Sequence, residues 1–557
     1  MRKGFRLIII RLFSNNDACV PDHRDKKATG PARPELFQEE QKMTKKHSIM
    51  LIFLVIPLVT LFVGLGAASQ KTITWGSLSE PETLDPGQAW DNVSVFFTSN
   101  LFDTLVVLDP KTLEITPSLA VSWETKNNGI DWEFKLRKGV RFHDGSEFNA
   151  DAVVFSFQRQ MDKNFPYRYY DFPLFDEIFK NIVSVESVGT HTVVFHLNQP
   201  FHPFLSTLTA SPAAIVSPTA VKKHKKAFAR NPVGTGPFTF TLWEESKQIA
   251  LEANHLYWKG KPRFDHFVYV VTDKHDKLHR LFREQKLDVI DSISISRATG
   301  LKNVRWATVR HIPVLSVTYI AINLKNRYLK NIDIRRALRS AWDPRILRYV
   351  FQGFVTPLDS IIPKGMPGHK TTSTGSRFNL TKARGWLEKA KVNEPIKLKF
   401  LLSGDSDLSR QLVSLYTKNL KRLGIELKTV YLPLEEYEKQ IAKGDFDLTI
   451  NGWTADFPDP CSIISPLFNA QLMEKGFPNL SQYQNASMKA QIDSLAKEMD
   501  RSKRTQKVSD IIHQIDALSL CIPIYQDTAI VIYNNKKIKS ISVTPTDTIL
   551  LNNIEKK

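Results

Sequence analysis

The hydrophobic and polar positions along the chain follow two periods. Runs in which apolar or β-branched residues recur at every second position are typical of strands, and apolar residues spaced three or four positions apart predict amphipathic helices. The strand-like runs are residues 72–75, 132–136, 192–196, 267–271, 315–322, 396–402 and 446–450. The helical runs are residues 333–342, 380–390, 408–423, 434–443 and 487–499. Because strands and helices alternate after about residue 320, the pattern predicts an α/β protein.

An apolar run near the N-terminus is too long for a strand and has the flanks of an export signal. Two lysines follow shortly after Met43, then an apolar run at residues 49–65, and then a stretch of small residues. This order predicts a secretory signal peptide with cleavage near Ala68 or Ser69. An uncleaved membrane anchor is the alternative, because the run is about as long as the shortest spanning helix.

The region before the folded protein is therefore interpreted in two parts. Residues 1–69 are an upstream extension followed by the signal peptide, which occupies about residues 43–69. The first 42 residues are interpreted as coil that precedes the true translation start. No cysteine follows the apolar run, so a lipid-anchored start is not expected. The predicted location of the mature protein is the periplasm.

The composition is that of an ordinary globular protein. Hydrophobic residues make up 42% of the 557 positions and charged residues 24%, which argues against a disordered chain, a collagen or a coiled coil. The formal net charge is +19. The basic residues nevertheless lie in short runs, such as residues 222–226, scattered among acidic neighbours. This distribution does not favour nucleic-acid binding, and we expect no nucleic-acid partner.

The cysteines and histidines exclude several kinds of site. Three cysteines in a chain of this length exclude a disulfide scaffold and a multi-cysteine metal site. Cys461 and Cys521 remain after signal removal, and they form either one disulfide or two buried thiols. The 14 histidines show no metal-ligand spacing. We therefore expect no metal and no cofactor.

Catalytic motifs are almost absent from the sequence. It contains no metalloprotease, redox-dithiol, nucleophile-elbow or phosphate-loop motif. One serine–lysine pair with the spacing of penicillin-interacting enzymes occurs at Ser494 and Lys497, but the companion motifs of those enzymes are missing. The pair lies in a predicted amphipathic helix, and we interpret it as helix surface. A binding protein is favoured over an enzyme.

Several sequence blocks resemble a known family. They are NLFDTLVVLD at 100–109, ITPSLAVSW at 115–123, WEFKLRKGVRFHDG at 132–145, FNADAVVFSF at 148–157, VGTGPF at 233–238 and FDLTINGWTAD at 446–456. In this order they resemble the extracytoplasmic solute-binding proteins, family 5, of dipeptide and oligopeptide ABC importers. The resemblance covers about residues 71–540.

The resemblance implies a two-lobed periplasmic binding protein-like α/β fold with a hinge. The first lobe is expected to be split along the chain and to carry an extra inserted domain, with closure about the hinge around the ligand. The first lobe is implied to comprise residues 70–112, 228–318 and 527–557, with residues 113–227 as the inserted domain. The second lobe is implied to comprise residues 319–526. The crossings between the lobes are implied near residues 319–323 and 522–526.

The segment from Trp453 to Pro460 provides the principal candidate site. A carboxylate that follows a buried strand, beside an aromatic residue and before two prolines, is expected on a rigid loop over the cleft. The resemblance implies that Asp456 binds the α-ammonium group of a peptide and that Trp453 packs beside it. A buried carboxylate needs a cationic partner, which a peptide supplies whatever its side chains are. The alternative role of Asp456 is to cap the loop, and Asp459 is interpreted as a turn residue.

The resemblance also suggests candidates on the other side of the cleft. A first-lobe loop is expected to pair its backbone with the extended peptide by strand addition, and by position this loop contains Trp90 and Asn92. Trp90 and Tyr437 are candidate pocket walls, with ordinary core packing as the alternative for each.

The partner of the ligand carboxylate is not apparent from the sequence. The resemblance implies an arginine at one of two positions, which are occupied here by Ser403 and Asn451. Arg410 and Lys443 are the candidate substitutes for this arginine.

These features predict a non-enzymatic, monomeric peptide-binding component of an ABC importer. Its expected partners are a peptide ligand and the permease and ATPase subunits in the inner membrane. The alternative is the same fold with another solute, such as a cell-wall peptide, a nickel chelate or an oligosaccharide.

Overall fold

Three principal β-sheets organise the chain in the computed structural model. The structure describes residues 71–89, 91–110, 112–170, 178–291, 293–369, 378–404, 406–469 and 479–557. The predicted signal peptide and the candidate site residue Trp90 therefore lie outside the described residues.

The helices and strands are named in chain order. The strands are β1 (Thr72–Ser77), β2 (Val106–Leu108), β3 (Ile115–Pro117), β4 (Ala120–Lys126), β5 (Asp131–Leu136), β6 (Ile182–Ser187), β7 (Thr192–Leu197), β8 (Phe238–Glu244), β9 (Gln248–Ala253), β10 (His266–Val271), β11 (Val289–Ile290), β12 (Ala307–Pro313), β13 (Ser316–Ile322), β14 (Thr356–Pro357), β15 (Ile396–Ser403), β16 (Ile425–Leu432), β17 (Leu448–Thr454), β18 (Cys521–Gln526), β19 (Thr528–Asn534), β20 (Ile538–Ser540) and β21 (Glu555–Lys556). The helices are α1 (Asn92–Leu101), α2 (Ala150–Met161), α3 (Phe204–Thr207), α4 (Pro218–His224), α5 (His275–Arg283), α6 (Ile295–Leu301), α7 (Ile332–Ser340), α8 (Arg345–Phe351), α9 (Leu380–Ala390), α10 (Asp407–Lys421), α11 (Leu434–Lys443), α12 (Cys461–Phe468), α13 (Ala486–Lys497) and α14 (Arg501–Ala517).

The seven-stranded sheet has the order β12-β19-β11-β1-β10-β9-β8. Its strands come from the beginning, the middle and the end of the described chain. An aromatic cluster covers β1 and β10, in which Phe96 of α1 lies 5.5 Å from Trp75 and 5.8 Å from Phe267 between ring centroids. Burial of these large rings explains why the distant segments associate, because aromatic side chains bury more apolar area than other residues.

The six-stranded sheet has the order β14-β18-β13-β17-β15-β16. Strand β13 is buried along its whole length, between β17 and β18. Strands β15 and β16 pair in parallel and are joined through α10, as in a βα unit. The core around this sheet includes Trp342 and Tyr416, whose rings meet edge to face at 5.5 Å.

The four-stranded sheet has the order β4-β5-β7-β6 and is antiparallel throughout. Its apolar face packs against α2 and α3 through Phe134, Phe157, Phe195 and Phe204. The Phe157 and Phe195 rings are 4.8 Å apart between centroids. Because the sheet has this separate core cluster, it forms a distinct layer inserted between β3 and β8 along the chain.

The chain passes twice between the seven-stranded and the six-stranded sheets. The first crossing lies between β12 and β13, a few residues before the expected range 319–323. The second is at Asp527, directly after the expected range 522–526. The two crossings lie side by side, because the Val314 backbone N–H donates to the Asp527 carbonyl oxygen at 3.1 Å. Two adjacent connections of this kind are the geometry of a hinge.

The cysteines are free thiols rather than a disulfide. Cys461 and Cys521 are both buried and unbonded to each other. Burial raises the pKa of the Cys521 thiol to about 12, with the charge on Asp516 adding to the rise and Arg339 opposing it. Of the two alternatives that the sequence left open, the structure has the buried thiols.

Candidate ligand-binding site

The candidate site lies on the loop that follows β17. This strand is central in the six-stranded sheet, where Trp453 is paired with Val317 of β13. The loop continues the pairing for one more residue, because the Ala455 N–H donates to the Leu315 carbonyl oxygen at 2.7 Å. Asp456 comes next and is the first residue free to leave the sheet edge.

The first turn of α12 fixes the two predicted contact residues. The Trp453 indole N–H donates to the Ser462 carbonyl oxygen at 2.8 Å, and the Asp456 backbone N–H donates to the Ser462 hydroxyl oxygen at 2.9 Å. Asp459 holds the beginning of the helix by accepting from the Cys461 N–H at 2.9 Å. The loop is therefore rigid, which agrees with the expectation from its two prolines.

The carboxyl group of Asp456 has no ion-pair or side-chain hydrogen-bond partner among the described residues. Burial raises the pKa of this carboxyl to about 7, and among the described residues the opposing group is its own backbone N–H. A carboxylate that is partly removed from water without a partner is unfavourable in its charged form. A cation that enters beside the Asp456 carboxyl would favour its charged form and would donate a strong hydrogen bond to it.

Asp456 and Trp453 line a cavity of about 280 Å³. One wall belongs to the loop and to α12 and α13; the other belongs to the segment around β6, β7 and α3, which we call the 178–207 wall. Among the described residues, the lining consists of Trp453, Asp456, Phe457, Cys461, Ser462, Ser465, Pro466, Asn469, Ile492, Asp493, Ala496 and Lys497 on the first side and Ile178, Lys180, Asn181, Gln199, Phe201 and Thr207 on the second. A cavity of this size is at the small end of ligand pockets.

The 178–207 wall is held against the opposite side by direct contacts. The His202 backbone N–H donates to the Ala496 carbonyl oxygen at 2.9 Å, and the His202 ring lies 3.6 Å from an Asp459 carboxylate oxygen. Within the wall, the Gln199 side-chain amide donates to the Asn181 side-chain oxygen at 3.1 Å. The cavity therefore combines apolar surface with a fixed amide pair facing the Asp456 loop.

Two other predicted site residues, Asn92 and Tyr437, are not among the residues that line this cavity. Asn92 is exposed at the beginning of α1, and its side-chain amide donates to an Asp547 carboxylate oxygen at 3.1 Å. Tyr437 is 1% exposed within the core of the six-stranded sheet, where its hydroxyl lies 2.9 Å from the Thr449 hydroxyl. Trp90 is outside the described residues. The binding roles of these three residues stay predictions.

The 178–207 wall and the residues of α13 were not predicted from the sequence as parts of the site. Neither has a motif associated with ligand binding, and only the serine–lysine pair drew attention to α13. The Ser494 hydroxyl accepts from the Lys507 ammonium at 2.8 Å, as expected for a helix surface. Arg410 and Lys443, considered as partners for a ligand carboxylate, are not part of the cavity lining.

The described part of the chain has neither a metal-binding cluster nor a membrane-spanning helix. No group of three or more His, Cys, Asp and Glu side chains is arranged to hold a metal ion there. None of the helices there has both the length and the apolar character of a membrane span.

Comparison with known proteins identifies the family. The sequence model of the bacterial extracellular solute-binding proteins, family 5 middle region, matches residues 114–474. The chain belongs to this family. The prediction from the sequence blocks is thereby confirmed, and the family consists of solute-binding proteins and not of enzymes.

Relatives of this family 5 protein differ in the solutes that their names give. This chain is 29% identical over 478 residues to the "Probable D,D-dipeptide-binding periplasmic protein DdpA" of Escherichia coli (strain K12). The alignment covers 83% of this chain and 90% of the relative. The chain is 26% identical over 475 residues to "Heme-binding protein A" of Haemophilus influenzae, which covers 80% of this chain and 86% of that protein.

Solved structures share the fold of this family 5 protein. A dipeptide-binding protein from Pseudoalteromonas sp. SM9913, in complex with Met-Leu, matches with a TM-score of 0.76 and 23% identity over 87% of this chain and all of that chain. The predicted two-lobed α/β fold is confirmed. The Asp456 cavity lies between the elements that follow β17 in the six-stranded sheet and the segments that flank β6 and β7 of the four-stranded sheet.

Proposed function

We propose that this family 5 protein is the peptide-binding component of an ABC importer. The observation that carries the proposal is the unpartnered Asp456 carboxyl in an otherwise largely apolar cavity. A free peptide brings an α-ammonium group to a fixed place, whatever its side chains are. Binding of that group would satisfy Asp456, and the adjoining apolar wall would accept a neighbouring side chain. The name of the Escherichia coli relative supports a dipeptide-sized ligand.

The wider setting belongs to the same proposal. The protein acts in the periplasm as a monomer without enzymatic activity, cofactor or nucleic-acid partner, and delivers its ligand to a permease and an ATPase in the inner membrane. Export through the predicted signal at residues 43–69 provides the route. The first lobe comprises residues 70–112, 228–318 and 527–557, with residues 113–227 as an inserted domain. The second lobe comprises residues 319–526. The grouping of strands into sheets supports this division, although β13 already belongs to the six-stranded sheet from Ser316.

The decisive experiment measures peptide affinity in Asp456→Asn, which removes the charge and keeps the size of the side chain. Calorimetry with a panel of L,L- and D,D-dipeptides should identify ligands of the wild-type protein. For those ligands the variant should bind about two to four orders of magnitude more weakly, because a desolvated ammonium group loses its only anionic partner. N-acetylation of the peptide should weaken wild-type binding comparably and should have little effect on the variant.

A control within the same cavity separates this effect from general damage. Asp493 also lines the cavity, but it is already paired with Lys489 at 2.6 Å. Asp493→Asn should therefore retain most of the peptide affinity. Equal affinity of wild type and Asp456→Asn would remove Asp456 from the site. If the wild-type protein bound none of the dipeptides, the proposed function would be wrong, and another solute of the family would become the better candidate.

A further inference from the structure

The charged side chains that line the cavity differ in whether they have partners. Asp493 accepts from Lys489 at 2.6 Å and from the Asn469 amide at 3.4 Å, so its charge is compensated. Lys180 also has an interaction partner. The two others, Asp456 and Lys497, have no ion-pair partner in the described part of the chain. Among the described residues that line it, the cavity therefore has one uncompensated anion and one uncompensated cation.

Lys497 keeps its charge uncompensated although acidic residues are close along the chain. It is an exposed residue in the last turn of α13. The preceding acidic residue on that helix face, Asp493, is neutralised by Lys489, and the following one, Glu498, is paired with Lys507 at 2.8 Å. The neighbouring acids are thus occupied by other lysines. The Lys497 ammonium is available to a group from outside the protein.

The positions at which the family resemblance suggests an arginine cannot bind a carboxylate through charge. They are occupied by Ser403 and Asn451. Neither residue lines the cavity, and Asn451 uses its side-chain oxygen to accept from the Gly452 N–H at 2.8 Å. If the ligand carries a free carboxylate, its cationic partner comes from a different element of the fold.

We propose that Lys497 binds the C-terminal carboxylate of the ligand and thereby selects short peptides with both termini free. This inference rests on the proposed function. A zwitterionic peptide complements one free anion and one free cation in a single cavity, whereas a neutral ligand leaves both uncompensated. The small volume of about 280 Å³ favours two or three residues, since a fully extended dipeptide spans only about 7 Å.

The test is a cycle that combines one variant with one change in the ligand. The affinity of the best dipeptide from the panel is measured as the free acid and as the C-terminal amide, in wild type and in Lys497→Met. Methionine keeps the length of the side chain and the helix propensity while it removes the charge. In wild type, amidation should weaken binding about ten-fold, as expected for a lost charge-assisted hydrogen bond at the edge of a cavity. In the variant, acid and amide should bind alike.

Lys443→Met is the matched control. Lys443 is likewise an exposed lysine in the last turn of a helix, where it interacts with the helix dipole as Lys497 does, but it lies outside the cavity. The Lys443→Met variant should keep the full wild-type preference for the free acid over the amide. A preference that persists in Lys497→Met, or an absence of preference in wild type while peptides still bind, would overturn the carboxylate assignment alone. A wild-type protein that bound no peptide would overturn the proposed function, and this inference with it.

Discussion

Two aspartates in one loop have opposite electrostatic environments. Burial alone would raise the pKa of Asp459, but the Arg504 guanidinium, with help from His202 and the Cys461 N–H, holds that pKa below its ordinary value. Three residues earlier, Asp456 lacks any such partner and its pKa is raised to about 7. Asp459 therefore stabilises the loop as an anion, whereas the Asp456 carboxyl has no such partner among the described residues. The sequence interpretation of Asp459 as a turn residue agrees with its hydrogen bond to the Cys461 N–H.

We expect the substitution Arg504→Met to destabilise the protein strongly. The Arg504 and Asp459 side chains are 7% and 6% exposed, and they are joined at 2.7 Å. Without the guanidinium group, Asp459 would be a buried charge whose remaining partners are the Cys461 N–H and the His202 ring, a loss of about 3–5 kcal/mol in the free energy of unfolding. Chemical denaturation measures the difference. Arg501→Met, an exposed change in the same helix, should have little effect, and similar stabilities for both variants would contradict the role given to Arg504.

At the scale of elements, the strand crossing between the sheets contains a second unusual carboxyl group. The Ser316 and Thr318 hydroxyls donate to one oxygen of Asp527 at 3.2 and 3.1 Å, and its other oxygen is buried without a hydrogen bond. Burial raises the pKa of Asp527 to about 7; the two hydroxyls oppose the rise and the Asp547 charge adds to it. The protonated form therefore suits the hinge better than the charged form.

This pKa predicts a pH-dependent difference between wild type and Asp527→Asn. A carboxyl with a higher pKa in the folded state stabilises the fold fully below its unfolded pKa, near 4, and loses this contribution as the pH rises to about 7. The stability of wild type should therefore fall relative to the variant across this interval, by up to about 1.4 kcal/mol per pH unit. Chemical denaturation at several pH values measures this difference in the free energy of unfolding. The stability of the exposed variant Asp510→Asn should change with pH as that of wild type does. The same pH dependence for Asp527→Asn would contradict the prediction.

At the scale of the whole molecule, the hinge and the inserted sheet together explain how the cavity is closed. The hydrogen bond between His202 and Ala496 joins the 178–207 wall to α13. The crossings at Val314 and Asp527 are made by other elements of the fold. Met499 adds an apolar contact, since it packs against the core of the four-stranded sheet. If the proposed function is correct, closure about the hinge encloses the ligand between the Asp456 loop and the 178–207 wall.

The proposed periplasmic action of the whole molecule requires that the chain be exported and processed. If residues 43–69 act as a cleaved signal, the mature protein should begin between Ala68 and Lys71. N-terminal sequencing of the protein recovered from the periplasm checks this expectation. Recovery of a form that retains residues 1–42 would contradict both the cleavage and the interpretation of the upstream extension.

The sequence alone determined the elements with a regular pattern and the family. The predicted helices at residues 380–390 and 434–443 have the same bounds as α9 and α11, because their apolar stripes and their ends are local properties. Strand β18 was missed because it is buried on both faces and contains Pro523, so it shows no alternation and has a residue that disfavours strands. The candidate loop with Trp453 and Asp456 is also a continuous motif after a buried strand, and its binding role was predicted from the family resemblance.

Only the tertiary structure decided what faces that loop and which charges lack partners. Asn181 and Gln199 are more than 250 positions away from Asp456 along the chain, and no sequence period relates segments that meet through the docking of separate sheets. Likewise, Asp456 and Asp459 are the same residue type in the same loop, and they differ because Arg504 reaches only one of them. Pairing and burial depend on neighbours in space, and a local pattern in the sequence does not specify those neighbours.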